Sequence, residues 1–126
     1  MSNTSARWKE KGQYDLDSAK VMLDAGRLVH ALFFCQQAVE KHIKAAIAKK
    51  ANEAPPRIHN LPRLLEIAGI IPDEKQIELM RLLSAIYTES RYPEEAEEID
   101  DDPLYNETKE IYERTLEACK WLLSLI

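Results

Sequence analysis

The chain has 126 residues, 45% of them apolar and 31% charged, with three Gly, six Pro, two Cys and a net charge of −5. That length suits one globular domain, residues 1–126, which buries roughly 65–70% of its unfolded surface and folds without disulfides or a structural metal. The acidic balance argues against general nucleic-acid binding, so RNA is an unexpected partner; with no apolar run near ~18 residues and no signal-type stretch in Met1 to Trp8, a cytoplasmic protein is expected, away from membranes.

Proline and glycine punctuate the chain at 12, 26, 55, 56, 62, 69, 72, 93 and 103, and the stretches between are rich in Ala, Leu, Glu and Lys. This predicts helices and no strand. The first runs from about Ala6 to Ala25, with Trp8, Leu16, Ala19, Met22 and Leu23 among its apolar residues and Gly26 at its C-cap. The second runs from Leu28 to about Lys50, and the tight link makes the two antiparallel neighbours. Pro55-Pro56 forces a loop. A short helix follows, with Asn60 as N-cap, Pro62 in its first turn, Leu64, Leu65 and Ile67 facing inward, and Gly69 as its stop.

Asp73 caps the next helix, Glu74 to about Arg91, which aligns Ile77, Met80, Leu83 and either Ile86 or Tyr87 before Pro93 ends it. The last helix runs from about Leu104 to the C-terminus. Between these two, Glu94 to Asp102 holds seven acids in nine residues and reads as a solvated loop. Charge is uneven: residues 1–50 carry nine Lys/Arg against five Asp/Glu, and residues 73–126 six against fifteen. Cys35 and Cys119 sit in apolar patterns and read as buried, reduced thiols.

On a helical wheel the second helix has a broad apolar face of Leu28, Ala31, Leu32, Cys35, Ala38, Val39, Ile43 and Ala46. Opposite lie His30, Gln37, Lys41 and Lys44 in a narrow polar arc edged by Phe33 and Phe34. Any amphipathic helix has a polar side, but two phenylalanines left exposed beside it point to a partner chain or a groove. Tyr87 and Arg91 lie one turn apart at the end of the fourth helix. Arg91 either complements the helix dipole or reads a phosphate or carboxylate with its planar fork of donors.

The three histidines lack the spacings of a di-iron or zincin site, so no metal is expected. His42 falls near the apolar face and reads as a satisfied, semi-buried side chain. His59, just before the short helix, caps, packs or joins a pocket, and its position alone does not choose. No glycine-rich phosphate loop is present.

Taken together, the residues resemble a HEPN domain of the small stand-alone prokaryotic type. The resemblance rests on Trp8, Tyr14-Asp15-Leu16 and Ala19; Gly26; the string from Ala31 to Lys44 that contains Gln36-Gln37-Ala38-Val39-Glu40-Lys41-His42-Ile43-Lys44; His59-Asn60-Leu61 with Leu64-Leu65; and Tyr87 through Arg91-Tyr92-Pro93. It covers most of the chain.

The resemblance implies an all-α, up-and-down four-helix bundle with one additional short helix, forming homodimers with a cleft near the seam. Phe33 and Phe34 would then meet the partner. It further implies pairing with a minimal nucleotidyltransferase, in a toxin-antitoxin or substrate-binding arrangement. Many such domains are ribonucleases whose motif is an Arg followed, after four to six residues, by a His. Arg91 matches the arginine, but Ala96, Glu97 and Glu98 occupy the positions for the histidine. A His suits both proton transfers of metal-independent RNA cleavage, and carboxylates there would repel the RNA backbone.

The expectation is therefore a non-catalytic dimer, with no cofactor, that binds a nucleotide or a nucleotidyltransferase. Lys41, Lys44 and Arg91 would hold phosphate, and Gln37, Tyr87 and Tyr92 would complete the ligand site. Two alternatives stand beside it: a divergent ribonuclease toxin using Arg91 with His59 or Glu40, and a purely structural interaction module.

Overall fold

The computed structural model describes residues 4–91 and 104–126, leaving out the side chains of 89–91. Five helices are present among the described residues, α1 (Thr4–Asp24), α2 (Leu28–Ala51), α3 (Leu61–Ala68), α4 (Glu74–Arg91) and α5 (Tyr105–Ser124), and no strand. The five helices are those that the proline and glycine spacing predicts, and they form the all-helical bundle with one short extra helix that the resemblance implies. The acidic run Glu94 to Asp102 and Tyr92 lie outside the described residues.

Local chemistry accounts for the breaks. Gly26 takes a φ of +75° between α1 and α2, a conformation that costs an L side chain and not glycine. Asn60 caps α3 by accepting from the Arg63 amide at 2.9 Å, and Gly69, at φ +73°, ends it. Asp73 and Gln76 form a reciprocal capping box ahead of α4, with both bonds at 2.8 Å. One expectation changes: Ile67 is 37% exposed, and Ala68 with Leu61, Leu64 and Leu65 forms the inner face of α3.

The long helix α2 packs on all four of the others and is the axis of the molecule. Cys35, Ala38, Val39 and Ile43 of α2 meet Leu16 and Ala19 of α1, Leu64 and Leu65 of α3, Met80 and Leu83 of α4, and Cys119 and Leu122 of α5 in one continuous core. Small residues on α2 let its neighbours approach closely. Of the pair left open on α4, Ile86 packs against this core.

The central position of α2 corrects the amphipathic reading. Of the polar arc, Lys44 is buried, together with Gln36, Glu40 and His42, because α1 and the loop before α3 cover part of the side that a lone helix would leave in water; Gln37 and Lys41 are half-buried and His30 is exposed. Phe33 and Phe34 are half-buried, with Phe34 against the core, instead of standing free. His42 is completely buried. Its Nδ1 lies 2.7 Å from the Ala38 carbonyl, and its Nε2, expected to be satisfied, has no partner among the described residues. Space for the ring comes from Gly12 on α1, where a Cβ would sit 2.7 Å from His42 Nδ1.

Candidate functional site

The polar residues of α2 fall into register every four positions, and this places Gln36, Glu40 and Lys44 in one column facing α1 and the loop before α3. Glu40 is the hub. Its Oε1 accepts from Gln36 Nε2 at 3.0 Å, its Oε2 accepts from Lys44 Nζ at 3.1 Å, and His59 Nδ1 lies 3.1 and 3.2 Å from the two oxygens. A buried carboxylate needs such donors, since an unpaired charge away from water is costly. As the carboxylate only accepts, His59 carries its hydrogen on Nδ1 and turns Nε2 outward on a side chain that is 46% exposed.

Two aromatic groups flank this column. On one side Lys44 Nζ lies 5.5 Å from the centre of the Trp8 ring, and Lys11 approaches the same ring at 5.8 Å. On the other, His59 stacks on Tyr87 with centroids 4.8 Å apart and planes 25° apart. Tyr87 in turn lies nearly parallel to Phe33 at 6.2 Å, and Phe33 meets Phe34 edge-on at 5.8 Å. Three segments that the chain keeps apart, α2, the loop before α3 and the end of α4, thus build one aromatic ladder on a buried ionic base.

The expected ligand residues are distributed around it. Gln37 is half-buried and donates from Nε2 to Gln36 Oε1 at 2.6 Å. Lys41 is ion-paired with Asp15 of α1, and Lys44 with Glu40, so both ammonium groups already have a carboxylate. His30 is exposed near the start of α2. Tyr87 joins the ladder. Arg91 ends α4 one turn beyond Tyr87, its side chain outside the described residues, as is all of Tyr92.

Gln36, Trp8 and Asp15 belong to the site by contact; all three carry the family resemblance, but none was expected among the ligand residues. The spacing Gln36, Glu40, Lys44 is the signal that could have found the column. Among the described residues no group of three His, Cys, Asp or Glu side chains is placed to hold a metal ion, and no helix is long and apolar enough to cross a membrane.

Comparison with known proteins identifies the family and the fold. A family model of the HEPN domain matches residues 5–126. An archaeal HEPN homologue of known crystal structure superposes with a TM-score of 0.77 over 98% of each chain, at 23% identity. A protein from Thermus thermophilus, also of known crystal structure, superposes at 0.76 over 99% of this chain and 100% of its own, at 21% identity. No curated protein matches the sequence. At these identities the two structures speak to the fold.

Proposed function

The chain belongs to the HEPN domain family, and from that premise we propose that it acts as a HEPN homodimer that binds a nucleotide, free or carried by a partner such as a minimal nucleotidyltransferase. The observation that carries this reading is the ladder of His59, Tyr87 and Phe33, aromatic faces of the kind on which a nucleobase stacks. Arg91, one turn past Tyr87 on α4, is the cation for the phosphate; Lys41 contributes where a phosphate oxygen replaces the Asp15 carboxylate.

Thermal unfolding with a panel of nucleoside mono-, di- and triphosphates tests it, with Tyr87→Ala and Arg91→Ala in parallel. A nucleotide at about a hundred times its Kd stabilises by roughly 2.7 kcal/mol, several degrees for a domain of this size. The reading expects a shift that both substitutions abolish. No shift with any nucleotide overturns it.

The Glu40–His59 hydrogen bond favours a second reading, metal-independent RNA cleavage. His59 Nε2 would take the 2′-hydroxyl proton, Glu40 would stabilise the resulting imidazolium, and Arg91 would offset charge on the phosphate. Cleavage of RNA in the presence of a chelator that disappears in both His59→Ala and Arg91→Ala would establish this reading, and intact RNA would remove it.

A further inference from the structure

Hydrogen-bond polarity in the site runs one way from Glu40 to the surface. A carboxylate accepts and cannot donate, so the Gln36 amide must turn its nitrogen toward Glu40, where it lies 3.0 Å from Oε1; the same nitrogen also reaches the His59 carbonyl at 3.4 Å. Gln36 Oε1 therefore faces the opposite way, and Gln37 donates to it from Nε2 at 2.6 Å. Gln36 is fully buried, and turning its amide over would set one oxygen against another. The orientation of the Gln37 amide is thus fixed by a carboxylate it does not touch.

One amide hydrogen of Gln37 is used in this relay. Its carbonyl oxygen and second hydrogen have no partner among the described residues, on a side chain that is only half-buried. Phe33 lies one turn earlier on α2 and opens the aromatic ladder to Tyr87 and His59. A free glutamine amide turns over to match either a donor-acceptor edge or its reverse. Gln37 is held in one sense.

We propose that Gln37 makes this site selective for a nucleobase with an exocyclic amine beside an unprotonated ring nitrogen, the edge that adenine and cytosine share. The amine donates to Gln37 Oε1 and the ring nitrogen accepts the free N–H, the pairing by which a glutamine amide reads adenine. Hypoxanthine and uracil place a carbonyl where the amine stands, against the fixed oxygen of Gln37. The proposal rests on the nucleotide-binding reading above. Gln37 reads the base and Gln36 acts as a positioning residue.

Equilibrium binding of AMP, IMP, CMP and UMP to the intact protein, to Gln37→Met and to Gln36→Met tests it. The expected result is that AMP binds roughly ten-fold more tightly than IMP, and CMP more tightly than UMP, as one unmatched hydrogen bond at a half-open site dictates. The stronger of AMP and CMP then identifies the base. Both substitutions should bring the AMP to IMP ratio near one; Gln37→Met is the decisive variant, since its side chain reaches water and its loss leaves the buried hub intact. Equal affinity for AMP and IMP, or a preference unchanged in Gln37→Met, overturns the selectivity while nucleotide binding stands. Absence of binding by all four removes the nucleotide reading and this proposal with it.

Discussion

His59 and Glu40 are separated by 19 positions in the chain, yet the Nδ1 of the first lies within 3.2 Å of both carboxylate oxygens of the second. This contact anchors the loop before α3 onto α2, and Lys44 completes the carboxylate from the other side. Glu40 and Lys44 have side-chain exposures of 5% and 6%, so the pair is shielded from water and its partners must come from the protein. Glu40→Ala leaves an ammonium buried without a counter-ion and should cost about 3–5 kcal/mol. Replacing both residues by Met removes both charges and should recover most of that loss. Urea denaturation of the single and double variants makes the comparison; equal stability of Glu40→Ala and the native protein would show that the pair is not buried in solution.

Gly12 and His42 form the second interlock between α1 and α2. Gly→Ala in a helix ordinarily stabilises by up to ~1 kcal/mol through backbone entropy. Here the added methyl would meet Nδ1 and Cε1 of a fully buried ring at 2.7 and 2.8 Å, and that overlap outweighs the propensity gain. Gly12→Ala should therefore destabilise, by about 1–2 kcal/mol. In a His42→Ala background the same change should cost nothing or stabilise, a coupling that a double-mutant cycle reads directly.

The same histidine makes stability depend on pH. Burial disfavours the imidazolium and lowers the His42 pKa below its ordinary 6.5, with the Ala38 carbonyl opposing in part. The unfolded chain then binds the proton more readily than the folded one. Stability from this residue is complete above pH ~6.5 and is lost as pH falls through that value toward the lower folded pKa. Between pH 7 and 5 the unfolding midpoint of the native protein should fall more steeply than that of His42→Leu. His30 and His59 are present in both proteins, so the difference between the slopes belongs to His42.

Most of the helix ends were legible because their determinants are local. Asn60, Gly69 and Asp73 act through backbone groups a few residues away, and each stands where capping chemistry places it. The environment of α2 was not legible in this way. A helical wheel sorts residues by direction but does not tell how many neighbours a helix acquires, and α2 acquires four. Lys44 consequently read as part of an open polar arc and is buried. The approach of His59 to Glu40 depends on the path of the Pro55-Pro56 loop, which no periodicity encodes. The ladder to Tyr87 likewise joins segments with no pattern in common.

The two cysteines offer a test of packing at the centre of the bundle. Both are free and buried, on α2 and α5, and burial pushes the Cys35 thiol up to about 11 and the Cys119 thiol higher still. The thiolate is the reactive species, so two factors, low ionisation and no access, act together. At pH 8 in the absence of denaturant, a thiol-specific reagent should label neither cysteine on the time scale that suffices for an unfolded chain. In denaturant both should react at once, two per chain. Under native conditions labelling should follow the rate or the population of opening, and a core substitution such as Leu83→Ala, expected to cost about 2–5 kcal/mol, should speed it in proportion. Rapid labelling of Cys35 alone would show that α2 and α5 separate without global unfolding.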